Sequence, residues 1–213
     1  MTNSQLDRFN SIAPYYDKLA GAIFGRSIQR AQLHFLSEIP DGSTILILGG
    51  GTGWILRELF QRKPASKVTY IEASSAMIGQ SKMQAQQFSR SIHFIHGTER
   101  SLRPDQKFHA VITNFYLDLF SETILRKVVQ QVRSQLKQGG FWLVSDFVND
   151  RKWWHRLLLW IMYRFFNSIA RVEARVLPDW QSILKHHQLR EEKTQVFYSG
   201  FIRSSVYRND QNR

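Results

Sequence analysis

A short aliphatic run that leads directly into a cluster of glycines places the strongest constraint on the fold. Residues 45–48 read ILIL, and residues 49–53 read GGGTG. Consecutive aliphatic residues next to the turn-forming sequence DGS at residues 41–43 indicate a strand buried on both faces, which is typical of a parallel sheet. Glycines directly after such a strand allow a ligand to approach the backbone, and the N–H groups of the turn favour a polar or anionic group there.

The spacing of these glycines excludes two common phosphate-binding motifs. The G-x-G-x-x-G motif of dinucleotide-binding proteins fails because its last position holds Trp54, and no Lys-Ser or Lys-Thr pair follows to complete a Walker loop. The spacing that remains is G-x-G-x-G, formed by Gly49, Gly51 and Gly53. Glu72 ends the next predicted strand, about 20 residues further on, where an acidic side chain accepts hydrogen bonds from ribose hydroxyls. The pattern therefore indicates a nucleoside site without a pyrophosphate.

Helical and strand patterns alternate along the chain, which predicts an α/β domain with a mostly parallel sheet. We predict helices over residues 5–20, 26–38, 54–61, 75–88, 122–136, 151–171 and 178–187. We predict strands over residues 44–48, 68–72, 92–95, 108–113, 141–146, 191–197 and 201–207. The last two strands read as a hairpin, so an antiparallel strand is expected to close the sheet.

Charge and composition limit the partners and the compartment. The chain has 213 residues, with 29 Lys and Arg against 17 Asp and Glu, for a formal net charge of +12. The resulting positive electrostatic field favours binding of nucleic acid, anionic lipid or an acidic small molecule. Because the basic residues are spread along the chain, a solvated positive surface is an equal alternative. Without cysteine, no disulfide or cysteine-ligated metal can form, and we expect no metal. No secretory signal is visible, so we expect a cytoplasmic protein.

Several motifs together resemble one enzyme family. Residues 45–54 and 72–78 resemble the first two motifs of class I S-adenosylmethionine-dependent methyltransferases. Residues 9–17, FNSIAPYYD, resemble the N-terminal segment of the branch that includes ubiquinone and menaquinone biosynthesis methyltransferases, and residues 108–112 and 136–147 resemble the family's fourth and fifth strands. The resemblance implies a Rossmann-like fold with a seven-stranded, mostly parallel sheet, an antiparallel C-terminal strand and helices on both faces. It also implies S-adenosyl-L-methionine as cofactor and S-adenosyl-L-homocysteine as product.

The same resemblance assigns cofactor contacts residue by residue. It places Gly49, Gly51 and Gly53 at the methionine and ribose portions and gives Glu72 the ribose hydroxyls. The other expected cofactor contacts are Ala73, Met77, Thr98, Asn114, Phe115 and Tyr16. Two positions depart from the family pattern, because Ile47 and Thr98 stand where the family has Asp residues that position the methionine end and the adenine. A non-catalytic binding module that keeps the fold is therefore one alternative.

Methyl transfer from a sulfonium is an in-line displacement, so the protein mainly orients the reactants and excludes water. A general base would assist a hydroxyl or an acidic-carbon acceptor. The candidates are His155, Asp146 and Tyr16, with the neighbouring Tyr15 as a further hydroxyl. Asp118 is either an active-site acid or a helix cap.

An aromatic and basic segment follows the fifth strand. We expect one domain over residues 1–213, with a helical lid at 1–40, a cofactor-binding core at 44–146, this inserted helix at 147–175 and a C-terminal helix and hairpin at 176–213. The inserted helix suits a lid over an apolar acceptor, an interfacial helix on anionic membrane, a buried dimer helix or plain packing on the sheet. The predicted acceptor contacts are Trp153, Trp154, Tyr163 and Phe166.

These observations predict a methyltransferase that acts on a small or medium apolar acceptor, such as a quinone-, polyketide- or lipid-like molecule, by direct displacement. An RNA-directed methyltransferase is the alternative that the net charge favours. It is disfavoured because residues 113–116 read TNFY and lack the two prolines that precede an aromatic residue in base-amino methyltransferases.

Overall fold

The computed structural model describes residues 23–148, 152–155, 158 and 177–210. The strands are β1 (Thr44–Leu48), β2 (Lys67–Glu72), β3 (Ile92–His96), β4 (Phe108–Asn114), β5 (Leu136–Phe147), β6 (Leu189–Phe197) and β7 (Ile202–Asn209). The helices in these ranges are α1 (Ser27–Leu33), α2 (Trp54–Arg62), α3 (Ser75–Gln84), α4 (Glu122–Gln135) and α5 (Trp180–His186). None of them is long and apolar enough to cross a bilayer.

The strands of the described part form one seven-stranded sheet in the order β3-β2-β1-β4-β5-β7-β6. Strands β1 to β5 pair in parallel, whereas β7 is antiparallel to both β5 and β6. The mostly parallel sheet with an antiparallel C-terminal strand is therefore confirmed. Because parallel strands end at a common edge, the residues that follow β1, β2, β3 and β4 lie close together there.

Strand β1 is buried on both faces, as its sequence predicts. Successive side chains of a strand point to opposite faces of the sheet. Ile45 and Ile47 therefore pack on one side in a cluster with Leu56 and Leu59 of α2, and Leu46 and Leu48 pack on the other with Val128 and Val132 of α4. Burying each such aliphatic side chain contributes about 1.5–3 kcal/mol, which fixes the strand at the centre of the core.

Several predicted boundaries shift in the structure. The helix predicted over 26–38 divides into α1 and a 3₁₀ turn at Leu36–Glu38, because Leu36 and Ile39 turn fully into the core. Strand β5 begins at Leu136 instead of residue 141, since Leu136 pairs with Phe108 across a β-bulge. Helix α5 begins at Trp180, where the Asp179 side chain caps it by accepting a hydrogen bond from Ser182 N at 3.1 Å. The helix predicted over 5–20 and most of that over 151–171 lie outside the described residues.

Candidate functional site

A cleft of about 320 Å³ opens at the edge of the sheet where β1, β2, β3 and β4 end. The residues that follow these strands line it, and α1 contributes Ile28, Gln29 and Gln32. The sequence predicted a helical N-terminal lid but did not single out these three residues. A glutamine on a short amphipathic helix carries no signal that distinguishes a cleft contact from solvent exposure.

The glycines after β1 serve different purposes. A Cβ added at Gly51 would meet no protein atom within 4 Å, and its φ of +66° is a conformation that L side chains rarely adopt. Side chains at Gly49 and Gly50, by contrast, would collide with the rings of Tyr116 and Tyr70. Of these glycines, Gly51 is therefore the one beside which the cleft leaves room for a ligand against bare backbone.

Gly53 does not line the cleft, although it was predicted as a cofactor contact. It begins α2 with a φ of +86°, and a Cβ there would approach the Cα of Ser81 in α3 at 2.8 Å. Glycine at this position is explained by the packing of α2 against α3, since those helices meet where a side chain would have to fit. We therefore do not retain Gly53 as a ligand contact.

Glu72 lies at the end of β2, 7% exposed, and its carboxylate connects two loops of the cleft. Oε2 accepts a hydrogen bond from Gly51 N at 2.9 Å, and Oε1 accepts one from Ser74 N at 2.8 Å. Burial raises the pKa of Glu72 above its usual value, and these backbone N–H groups oppose that rise. Each carboxylate oxygen has more than one lone pair, so it can still accept a hydrogen bond from a ligand hydroxyl.

The glycine turn is held without an acidic side chain at position 47. Ile47 is fully buried and pairs in register with Tyr70 of β2. The Tyr70 hydroxyl donates a hydrogen bond to Gly51 O at 2.9 Å, while Glu72 accepts from Gly51 N. The peptide groups of Gly51 are thus fixed from β2. The sequence carried one signal for this role, because a tyrosine in a buried strand needs a partner for its hydroxyl.

The residues predicted around the adenine all line the cleft. Ala73 follows Glu72, and its carbonyl lies 2.9 Å from His96 Nε2. Met77 lies in the first turn of α3, where its N–H donates to the capping Ser74 Oγ at 3.2 Å. Thr98 follows β3 and caps the 3₁₀ turn Glu99–Ser101, with its hydroxyl accepting from Arg100 N at 3.4 Å. Ala73, Met77 and Thr98 all line the cleft, and their contact with the adenine stays a prediction.

Asn114 and Phe115 line the cleft beyond β4, where the sequence placed the methyl-donor mouth. Phe115 has a φ of +51°, which is a strained conformation for a bulky residue. Its N–H donates to Ser145 O at 2.7 Å, and its ring packs on Phe147 with centroids 4.8 Å apart. Such strain persists where surrounding structure enforces it and is concentrated at functional sites. Here it directs the chain away from β4 beside the cleft.

Two carboxyl groups are buried next to this end of the cleft. Asp146 Oδ2 accepts hydrogen bonds from Leu117 N at 2.9 Å, Tyr116 N at 3.3 Å and Asp118 N at 3.4 Å, and Oδ1 accepts from Phe147 N at 2.8 Å. Asp118 lines the cleft, whereas Asp146 lies behind it. Burial raises the pKa of Asp118 to about 7, and burial together with the charge of Asp118 raises the pKa of Asp146.

Glu99 and Tyr116 form a second polar pair that the sequence did not single out. The Tyr116 hydroxyl donates to Glu99 Oε2 at 2.9 Å, both residues are buried, and both line the cleft. Burial and the nearby Glu99 carboxylate raise the pKa of the Tyr116 hydroxyl. The pair joins the turn after β3 to the turn after β4, so two walls of the cleft are fixed relative to each other.

The remaining predicted residues do not line the cleft or lie outside the described chain. His155 is fully buried, with its ring centroid 5.0 Å from that of Phe201, and it does not line the cleft. Trp154 packs against the same phenylalanine, whereas Trp153 is 76% exposed. We therefore do not retain His155 as a base or Trp153 as an acceptor contact. The predicted roles of Tyr15, Tyr16, Tyr163 and Phe166 lie outside the described residues and stay predictions.

Comparison with known proteins agrees with this geometry. Residues 45–140 match the protein family described as a methyltransferase domain. A carboxy-S-adenosyl-L-methionine synthase from Nautilia profundicola is 27% identical over 169 residues, which cover 76% of this chain and 71% of the relative. A malonyl-[acyl-carrier protein] O-methyltransferase from Priestia megaterium is 30% identical over 159 residues, which cover 70% of this chain but 54% of the relative.

Among solved structures, the fold is similar to that of a Burkholderia thailandensis 1,6-didemethyltoxoflavin-N1-methyltransferase with bound 1,6-didemethyltoxoflavin and S-adenosylhomocysteine. The TM-score is 0.71 at 12% identity, and the alignment covers 96% of this chain and 87% of the other. The sheet order and the glycine cleft, together with these matches, define a class I methyltransferase. These findings support an S-adenosylmethionine-dependent methyltransferase, with S-adenosylmethionine as the cofactor.

The arrangement of the described residues fits that cofactor. The space beside Gly51 admits a group against the backbone, and the Glu72 carboxylate stands at the end of β2 where ribose hydroxyls are bound in such folds. When bound, S-adenosylmethionine supplies an electrophilic methyl group on a sulfonium. The quinone-biosynthesis branch stays a prediction, because these relatives carry other activities in their names.

Replacing Tyr70 by phenylalanine tests how the glycine turn is held. Loss of the bond to Gly51 O should lower the free energy of unfolding by about 1 kcal/mol and weaken S-adenosylhomocysteine binding roughly 3- to 10-fold. Calorimetric titration and denaturant unfolding measure both. Tyr207→Phe is the matched control, since that buried hydroxyl makes a 3.4 Å contact with Glu191 outside the cleft. Unchanged affinity in Tyr70→Phe would show that the turn does not depend on this bond.

Proposed function

We propose that the protein transfers a methyl group to a small or medium, largely apolar acceptor that binds beside Phe115 and Phe147. The aromatic end of the cleft carries this proposal. Phe115 and Phe147 both line it, and Phe24 and Phe201 pack behind Phe147 with ring centroids 5.4 and 5.1 Å away. Aromatic side chains bury large apolar areas, so a wall of this composition favours a flat or apolar molecule.

The topology supports a division of the cleft into two ends. Gly51 follows β1 and Glu72 ends β2, whereas Phe115 follows β4 and Phe147 ends β5. Strand order places β4 and β5 on the opposite side of β1 from β2. A nucleoside held at β1 and β2 therefore leaves the β4 and β5 end for the second substrate. The chain's contribution to catalysis is then to hold the reactants in line and to exclude water.

Other acceptors have less support. A malonyl-type acceptor, suggested by the name of one relative, brings a carboxylate to a cleft whose lining includes Glu72, Glu99 and Asp118. RNA as acceptor has only the net charge of +12 in its favour. Contact with an anionic membrane was expected of the segment 147–175, which lies largely outside the described residues.

Replacing Phe115 by alanine tests the acceptor end. Neutral aromatic acceptors of increasing size are incubated with the protein and S-adenosylmethionine, and S-adenosylhomocysteine formation is measured. For any acceptor that is methylated, Phe115→Ala should raise its KM about tenfold or more while S-adenosylhomocysteine affinity stays within about twofold. Phe88→Ala is the control, because Phe88 does not line the cleft and its ring stacks on that of Phe60, with the ring centroids 4.7 Å apart.

Two results would overturn this proposal. The first is an acceptor KM that is equal in Phe115→Ala and Phe88→Ala. The second is methyl transfer to RNA, with RNA affinity that falls steeply as salt rises, when none of the aromatic acceptors is methylated.

A further inference from the structure

In the buried acidic pair of Asp118 and Asp146, one carboxylate oxygen of Asp118 has no hydrogen-bond partner among the described residues. Asp146 receives hydrogen bonds from four backbone N–H groups, three of them in the turn after β4, and its side chain also hydrogen-bonds that of Asp118. Asp118 is also buried, yet among the described residues its Oδ1 has no hydrogen-bond partner. A buried polar atom without a partner costs roughly 1–3 kcal/mol, more for a charged group. Because Asp118 lines the cleft, the unpaired oxygen points to a ligand group that supplies its hydrogen-bond partner.

The position of Asp118 matches the acceptor and not the nucleoside. Asp118 lies in the 3₁₀ turn Leu117–Leu119 after β4, and Glu72 ends β2 on the other side of β1. Phe115 and Phe147, which form the proposed acceptor wall, line the same end of the cleft as Asp118. Asp118 is thus placed beside the second substrate.

The charges of the cleft restrict the acceptor further. The acidic residues Glu72, Glu99 and Asp118 line it, and the basic side chain in the lining is Arg100. Arg100 is 74% exposed at the side chain and lies 3.8 Å from Glu99, so it adds little positive potential inside. Asp118 is the acidic residue that the fold places beside the acceptor, and like charges repel strongly where water is excluded, so a carboxylate next to Asp118 is disfavoured.

We propose that Asp118 is the catalytic base of this methyltransferase, positioned by Asp146, and that the acceptor is a neutral molecule whose nucleophilic atom carries an O–H or N–H proton. The inference rests on the proposed function and adds the acceptor's chemical class to it. The acceptor's oxygen or nitrogen forms the bond to the methyl carbon while the carbon–sulfur bond breaks and its electron pair stays on sulfur. The acceptor's proton passes to the Asp118 carboxylate, so the positive sulfonium and the negative carboxylate both become neutral.

The protonation of Asp118 depends on the group that faces it. Among the described residues this is Asp146 from β5, and the hydrogen bond between the two side chains lowers the pKa of Asp118 against the larger effect of burial. Burial raises the pKa of Asp118 to about 7, so its basic form increases as pH rises through neutrality. A folded-state pKa above the unfolded one means that the folded protein binds more protons between these two values. The free energy of unfolding therefore falls as pH rises through that window. Asp118→Asn removes the part of this fall that Asp118 contributes, whereas Asp146 and Glu72, whose pKa values burial also raises, still contribute to it.

The first test observes Asp118 directly, by nuclear magnetic resonance of protein labelled with ¹³C at aspartate carboxyl groups. One resonance should titrate with a midpoint near 7, disappear in Asp118→Asn and remain in Asp105→Asn, whose exposed carboxyl is the control. The proposal is overturned if every aspartate resonance titrates below about pH 5, near the unperturbed value.

The second test measures acceptor chemistry without turnover. The complex with S-adenosylhomocysteine is titrated with catechol and with benzoate as neutral and anionic aromatic probes. Catechol should bind more tightly than benzoate, and Asp118→Asn should reduce this preference about tenfold by admitting the anion. Equal or tighter benzoate binding in the wild type, or a preference that Asp118→Asn leaves unchanged, contradicts the inference. Failure of S-adenosylhomocysteine itself to bind contradicts the proposed function, so the two failures are distinguishable.

Discussion

Glu72→Ala is expected to weaken S-adenosylhomocysteine binding about 100-fold or more. On the predicted cofactor assignment, the buried carboxylate accepts hydrogen bonds from the ribose hydroxyls while it holds Gly51 N and Ser74 N at 2.9 and 2.8 Å. Hydrogen bonds to a charged group contribute about 1.5–3 kcal/mol each, so the loss of two corresponds to roughly 3–6 kcal/mol. The variant also removes the acceptor for Gly51 N and so loosens the turn beside the ligand.

Calorimetric titration measures this loss, with Glu72→Gln and Glu122→Ala alongside. Glutamine keeps the shape and one acceptor oxygen, so Glu72→Gln should bind with intermediate affinity. Glu122 lies on α4, with its side chain 59% exposed, and its replacement should leave binding unchanged. Circular dichroism shows whether Glu72→Ala remains folded. A folded Glu72→Ala protein with wild-type affinity would contradict the assignment of Glu72 to the ribose.

Gly51→Ala is expected to weaken S-adenosylhomocysteine binding by more than about tenfold, because the new methyl group occupies space that the ligand needs against the backbone. The cleft is open at this point, with no protein atom within 4 Å of the added Cβ. The chain itself can therefore accommodate the methyl group, and the steric loss falls on the ligand. Backbone strain at φ +66° adds a cost in stability of roughly 1–2 kcal/mol.

Gly42→Ala is a closely matched control for that strain. Gly42 has a φ of +69°, and a Cβ there also meets no protein atom within 4 Å, but the residue lies in the turn before β1 and away from the cleft. Both variants should lose a similar amount of stability in denaturant unfolding, and only Gly51→Ala should lose affinity. Equal affinity in the two variants would show that no ligand approaches Gly51.

The central strands and the glycine turn could be predicted because their signals are local. The aliphatic run at residues 44–48 gives β1 with the bounds that the structure has, and the helix predicted over 122–136 matches α4 within one residue. Local sequence signals gave the wrong strand bounds where pairing with a distant strand determines where a strand begins. Gly139 and Gly140 indicate a turn, yet β5 already begins at Leu136, because a bulge in its pairing with β4 accommodates the glycines.

The candidate site was predictable only in part, for a similar reason. Glu72 follows from its position at a strand end, but Tyr70 and Asp118 act through partners that are distant in sequence. Asp146 was predicted as a base, and the structure instead shows it holding the turn that carries Asp118. The spacing of residues in the sequence predicts neither the contact of Tyr70 with Gly51 nor that of Asp118 with Asp146. Ile47, in place of the family's acidic residue, likewise indicated a weakened cofactor site. The structure shows that Tyr70 holds the glycine turn through its hydrogen bond to Gly51 O.

The central claim is that this cleft binds S-adenosylmethionine without the family's acidic residue at position 47. Calorimetric titration of the wild-type protein with S-adenosylhomocysteine tests it most directly, because the product analogue needs no acceptor. The account predicts one site per chain with a Kd in the micromolar range. The absence of saturable binding by a folded protein would contradict it and would favour a module that keeps the fold without the cofactor.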